Sequence, residues 1–304
     1  MHCIFCHKLS DSSKSIEHIV PESLGNKNTV LWRGAVCDKC NNYFATKIEK
    51  DLLNQPYFIS VRNRNFIKSK KGKTIPKQVL VSLKDGKYAK GWLNFDENDV
   101  NIDLEQEENL DSVIADNGKI IAPLIVEPEK NNYILSRFIA KCAFEYLVLR
   151  VKEENFLDFA EYLKNEQFEP LRKYARYGEG CKFWPYYQRR IYGEGDLFIG
   201  FEGEKKYETL NEMDLLCIEL ERKTINGEEH VMVELYFVLV IMGIEYTIHF
   251  AAPEIDGYEI WLKKHNNLSP VERYGEVRIP NTRTDIPLIT EELIKKMNNR
   301  KNES

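Results

Sequence analysis

Two C-x2-C pairs, Cys3/Cys6 and Cys37/Cys40, stand at the start of this chain with thirty residues between them. No other feature restricts the fold as strongly. Each pair offers two thiolates from a tight turn, and two such pairs complete the tetrahedral shell that Zn²⁺ prefers. A segment with few large apolar residues then draws its stability from the metal. A redox C-x-x-C is the competing reading, but it has no need of a second copy. His2 and His7 flank the first pair and could replace a thiolate, although four cysteines already suffice. The remaining three, Cys142, Cys181 and Cys217, lie singly among apolar residues and are expected to be ordinary buried cysteines. Seven cysteines, an odd number, do not suggest a disulfide framework.

The 304 residues, 43% of them hydrophobic, are enough for a substantial core. No apolar run approaches the roughly 18 residues of a membrane span, and the start lacks a secretory layout, so a cytoplasmic protein with no membrane partner is expected. The net charge of -5 conceals an asymmetry. Residues 1–80 hold fourteen Lys and Arg against six Asp and Glu, a balance of +8, whereas the remainder holds 29 against 42, a balance of -13. Four thiolates on one Zn²⁺ would lower the first figure to about +6, still attractive to a polyanion.

Phe44, Ile48 and Leu52 recur every fourth residue after Cys40 and predict a helix from about Asp38, with Pro56 helping to end it. Residues 61–77, VRNRNFIKSKKGKTIPK, contain seven basic side chains and no acidic one, read as a linker whose Arg62, Arg64, Lys68, Lys70, Lys71 and Lys73 could touch phosphates. Short strands follow from Gln78, with Asp85-Gly86 as a hairpin turn. Helical spacing returns in ILSRFIAKCAFEYLVLRV and in FLDFAEYLKNEQFEPLRKYAR, which the glycines of YGEG end. Residues 181–252 are expected to be β-rich, with Asn226-Gly227 at a second tight turn. Within them, the aromatics and arginines of FWPYYQRRIYGEG suit either base stacking or a core edge.

A closed four-cysteine site has no open position, so the chemistry is expected between the pairs. That interval holds Glu17-His18-Ile19-Val20-Pro21, Gly25-Asn26 and Asn28, and Asn41-Asn42 follow Cys40 directly. In that order, C-x2-C, Glu-His-Ile-Val-Pro, Gly-Asn, then C-x2-C-Asn-Asn leading into a helix, residues 3–53 resemble the HNH endonuclease family with its ββα-metal fold. The Cys-Asn-Asn continuation looks most like one subgroup of it.

The resemblance implies roles. Glu17 matches the acidic residue holding a catalytic divalent cation, where Asp is commoner. His18 matches the general base, and Asn41 the helix position that completes the metal's protein ligands, where many relatives carry His. Asn26 or Asn28 matches the middle Asn that orients the histidine, and Asn42 is a further supporting candidate. General chemistry agrees. An imidazole accepts a proton near neutral pH, and a hard cation, Mg²⁺ or Mn²⁺, prefers carboxylate and amide oxygens. Read singly, His18 would be a structural histidine, Asn41 and Asn42 turn or capping residues, and Glu49 a solvated salt-bridge partner.

The expected architecture is therefore α+β: a zinc-clasped HNH module over residues 1–60, a basic linker over 61–80, and a larger mixed α+β region over 81–304. The last would serve target recognition, regulation or oligomerisation, through a partner protein or a second copy. The expected activity is metal-dependent hydrolysis of DNA, with bacterial or phage genome defence as the setting. The alternative is a non-catalytic zinc module that binds nucleic acid or protein.

Overall fold

The structure, a computed structural model, describes residues 1–69, 72–83, 86–96, 99–106, 119–122, 125–153, 166–199, 206–208, 210–226, 228–271 and 277–279. Helices and antiparallel sheets are mixed, as the α+β expectation requires. The chain forms two compact units, one of Met1–Asn54 with Glu129–Pro280 and one built on Gln55–Pro128.

The first unit opens with the cysteine-bearing loops. Backbone bonds from Ile19 N–H to the Thr29 carbonyl and from Leu31 N–H to the Glu17 carbonyl pair two short extended segments, with His18 opposite Val30. Pro21 ends the first of them. Its fixed φ of -57° and extended ψ lead into a 3₁₀ turn, Glu22–Leu24, closed by Gly25 at φ +92°. The helix expected from Asp38 is present as α1 (Asp38–Phe44), a π turn (Ala45–Glu49) and α2 (Lys50–Leu53). Phe44, Ile48 and Leu52 are fully buried along it. Residues four apart drift by about 40° per step around a regular α-helix, and the wider π turn opposes that drift, keeping the three on one face.

Pro56 does more than end this run. It occupies the first turn of α3 (Pro56–Arg64), where its missing N–H costs nothing. The second unit packs α3 with the sheet β3-β2-β1-β4, formed by β1 (Lys77–Ser82), β2 (Tyr88–Asp96), β3 (Asp99–Leu104) and β4 (Ile120–Ile121), over Val79, Val81 and Leu93. The span 61–80, expected as a linker, thus includes the end of α3 and the start of β1. Arg62 falls on the buried side of α3 with Phe58 and Val61 and is only 6% exposed. It does not stand on the basic surface strip expected for it. Ser82 pairs with Tyr88 across the first expected hairpin, whose Lys84 and Asp85 lie outside the described residues.

The centre of the first unit is α4 (Tyr133–Glu153), buried on nearly every side from Leu135 to Val148. A helix apolar all round belongs inside a core. Three charged residues nevertheless recur at every fourth position on it, Arg137, Lys141 and Glu145, and all are buried. Beside it runs α5 (Glu169–Tyr177), stopped as expected by Gly178 at φ +72°. The upstream part of that expected helix, residues 154–165, lies outside the described residues.

The remaining chain supplies a second sheet, β5-β10-β9-β8, from β5 (Tyr187–Arg190), β8 (Asn211–Ile225), β9 (Glu228–Ile241) and β10 (Ile244–His249). A small third sheet is made by β6 (Leu197–Ile199), β7 (Lys206–Glu208) and β11 (Val277–Ile279). Ile225 pairs with Glu228 across the second expected turn, where Asn226 has φ +53° and Gly227 is outside the described residues. Tyr146 of α4 packs on Phe237 of β9, while Tyr236 and Val238 face Tyr258 and Leu262 of α6 (Asp256–Lys264). A central strand covered on both faces accounts for the uninterrupted apolar run of β9.

The FWPYYQRR stretch contributes to the core at one residue and is half-buried at the others. Trp184 is buried, with its indole N–H donating to the His249 carbonyl, and Arg189 pairs with the buried Glu245 at 2.9 Å. Of the three single cysteines only Cys142 is buried. Cys181 is half-buried, and Cys217, on edge strand β8, is exposed.

Gly25 seats the loop after Pro21 against the rest of its unit. A Cβ there would lie 2.5 Å from Leu210 Cδ1, in a left-handed backbone as well. Gly25→Ala is expected to cost about 1–3 kcal/mol, read as a lower urea midpoint. Adding Leu210→Ala should recover only part of the steric cost, because the Leu210 Cβ, 2.9 Å from the added carbon, remains along with the backbone part.

Candidate functional site

Cys3, Cys6, Cys37 and Cys40 converge, with all four sulfurs within 4.8 Å of one another. Cys6 Sγ and Cys37 Sγ are 3.6 Å apart. A tetrahedral shell at the usual Zn–S length of about 2.3 Å puts sulfurs about 3.8 Å apart, so the cluster fits a structural zinc ion. Gathering both pairs in one place answers the redox alternative, because neither pair stands alone as a reactive couple.

The sulfurs also interact as thiols. The Cys40 thiol donates to Cys3 and holds it down to about 4 despite burial, while Cys40 is pushed up by the same bond and by desolvation. Burial raises Cys37. A dication in the middle favours all four thiolates at once and displaces the protons.

Helix α5 braces this cluster. Arg176 Nε donates to Cys40 Sγ at 3.2 Å and stacks its guanidinium 3.9 Å over the Tyr43 ring, and Arg172, salt-bridged to Glu169, donates to the Phe5 carbonyl inside the first knuckle. An N–H aimed at a thiolate stabilises its charge and fixes its direction. On the other side Asp38 accepts from the Lys14 and Ser15 amides and the Ser15 hydroxyl, at 3.1, 3.0 and 2.6 Å, tying the loop before Glu17 to the start of α1.

The strand carrying Glu17 and His18 is held differently. Asn26 is buried, its amide nitrogen donating to the Val20 and Thr29 carbonyls at 2.8 Å each while its oxygen accepts from the Asn28 and Thr29 N–H groups. It spans the loop between the two paired segments. Asn28 is exposed and takes part only through its backbone. Asn41 Nδ2 lies 3.5 Å from the Ile16 carbonyl, which sets the head of α1 beside the strand, and Asn42 is exposed. His18 is partly buried. Its Nε2 is 3.4 Å from Glu22 Oε1, and its buried Nδ1 has no protein hydrogen-bond partner among the described residues.

Glu17 is only 6% exposed, and its Oε1 lies 2.5 Å from Lys141 Nζ. The same ammonium is 2.9 Å from Glu49 and 3.2 Å from Glu145, and it donates to the His18 and Ile19 carbonyls at 3.1 and 3.3 Å. Three carboxylates hold Lys141 well above the usual lysine range, outweighing its desolvation. Glu145, with no water around it, is pushed up. Sequence reasoning missed Lys141, Glu145, Arg172 and Arg176, and placed Glu49 in solvent. The visible signal was the fourfold spacing of Arg137, Lys141 and Glu145 inside an apolar run, and of Arg172 and Arg176 after it.

Of the basic candidates, Lys68 and Lys73 are exposed, Arg64 donates to the Ile125 carbonyl, and Lys70 and Lys71 lie outside the described residues.

The protein is expected to bind one zinc per chain and to lose it on Cys37→Ser. Arg176→Met should keep the ion but weaken its hold about 10- to 100-fold, measured by competition with a chromogenic chelator.

Among the described residues no helix is long and apolar enough to cross a membrane. Comparison with curated proteins and with solved structures gives no match. A family model described as HNH endonuclease does match, over residues 3–57. That span takes in both cysteine pairs, the Glu17-His18 strand and the helix behind them, so the N-terminal part of this chain is an HNH domain, from a nuclease family, built around a four-cysteine cluster.

Proposed function

We propose that this HNH domain hydrolyses phosphodiester bonds in DNA with His18 as general base. The observation carrying this reading is the placement of His18, partly exposed on a strand that Asn26 ties in place, so that part of its imidazole stays open to solvent. An imidazole that water can reach can take a proton from an attacking water. Asn26, rather than Asn28, is the loop-tying asparagine.

Glu17 and Asn41 would hold a divalent cation, Mg²⁺ or Mn²⁺. Their oxygens suit a hard ion by donor chemistry. When bound, such an ion supplies Lewis acidity toward the phosphate. The clasp, by contrast, presents four sulfurs with no open position and supports a structural role for zinc. The basic balance of residues 1–80 favours a polyanionic substrate, and the exposed Lys68 and Lys73 are the described side chains we assign to phosphate contact.

Residues 81–304 would recognise a target, a partner protein or a second copy. A role in bacterial or phage genome defence, in the cytoplasm, follows from analogy with the family alone. The ion pair between Glu17 and Lys141 favours a second reading, a zinc module that binds nucleic acid or protein without cutting it.

Incubation with plasmid DNA and Mg²⁺ or Mn²⁺ separates the two. Wild type is expected to nick or cut. His18→Ala should lose about 100-fold or more in rate with its zinc content unchanged. Equal cleavage by both proteins would remove His18 from the mechanism, and no cleavage of any DNA or RNA offered would support the binding module.

A further inference from the structure

We infer that Lys141, more than eighty residues beyond the HNH domain in sequence, is a positioning residue of the reactive strand: its ammonium fixes the backbone on which His18 stands. The inference rests on the reading of His18 as the reactive residue.

An ammonium has three hydrogens to donate. Five oxygens lie within 3.3 Å of Lys141 Nζ, those of Glu17, Glu49 and Glu145 and the carbonyls of His18 and Ile19. Two of the five therefore belong to consecutive peptide units of the reactive strand. The neighbouring residue on α4 adds a further hold, because Cys142 Sγ donates to the same Ile19 carbonyl at 3.0 Å. With two carbonyls captured from below, the strand cannot rotate about its own axis without breaking bonds to a fully buried charge.

The histidine side chain needs this support. Its ring contacts are weak, a 3.4 Å approach to an exposed glutamate on one nitrogen and no protein partner on the other. The backbone orients the Cα–Cβ bond from which the ring's torsions start, and the two peptide units that follow the His18 Cα are the ones whose carbonyls Lys141 holds. Lys141 also joins the strand to the helix behind it, since Glu17 and Glu49 meet on the same nitrogen. Bonding to two successive carbonyls of the reactive strand is what marks a positioning role.

Removing a buried cation leaves its carboxylates unanswered and can unfold a protein, so the test uses two variants. Lys141→Met deletes the charge alone. Lys141→Met combined with Glu145→Leu deletes a buried pair and keeps the helix apolar. Each is compared with wild type and His18→Ala in three measurements: zinc content, the His18 ring signals in the NMR spectrum, assigned by their absence from His18→Ala, and kcat and KM on plasmid DNA. We expect zinc at one per chain in both variants, His18 ring signals displaced or split into several positions, and kcat lower by about 100-fold, the scale of an ångström-sized misplacement, with KM within about twofold.

Unchanged His18 signals in a folded, zinc-loaded variant would overturn the inference. So would loss of zinc from both variants, which would make Lys141 a determinant of the fold alone. Should wild type fail to cleave, the nuclease reading falls, and the NMR comparison still decides whether Lys141 positions the ring.

Discussion

A positive charge inside a protein core must be answered by oxygen atoms at close range, because the water that would otherwise solvate it has been removed. In this chain that requirement gathers the site. Lys141 collects Glu17 and the His18 and Ile19 carbonyls from one strand, Glu49 from the π turn, and Glu145 from its own helix. One buried ammonium thereby ties the strand, the turn and α4 to a common point. The apolar contacts then close around it, with Phe5 against both Phe44 and Phe144. Hydrophobic burial supplies most of the stabilisation, and the charge supplies the common point of attachment.

The cysteine cluster follows a complementary logic. Four sulfurs confined within a few ångströms resist being thiolates together unless a cation lies between them. Arg176 adds a fixed positive group at the periphery, against Cys40, without entering the cluster. The HNH domain is thus bounded by charges contributed from two helices outside its own sequence. Its cysteines lean on α5 and its reactive strand on α4, so the segment matched by the family is complete in its ligands but not in its supports.

What could be read from the sequence alone was whatever is encoded at short range. The cysteine spacing, the Glu-His-Ile-Val-Pro strand, the fourfold apolar repeat of Phe44, Ile48 and Leu52, and the glycine stop at Gly178 are local signals, and each has its structural counterpart. Asn26 and Asn28 could not be distinguished, because the choice depends on which side chain turns inward to meet Val20 and Thr29. Pairings over long separations were hidden for a stronger reason. Lys141 in an apolar run looks like a lysine on the outer face of a helix, and nothing near it in sequence reveals carboxylates more than ninety residues away. Arg62 was misjudged in the same way. A basic run reads as surface, but one member of it lies on the side of α3 that packs inward.

The order in which the two supports become available has a consequence of its own. All four cysteines are in place once residue 40 has been made, whereas Lys141 follows a hundred residues later, after the second compact unit has intervened in the chain. At a synthesis rate of about 5–20 residues per second, that interval is roughly 5–20 s. During it, a nascent chain can close its clasp while the Glu17-His18 strand, already paired with residues 29–31, still lacks its bonds to Lys141. Maturation of the site is therefore bound to completion of α4, and bracing of the clasp to α5, later still in the chain, so a product truncated before them would lack both supports.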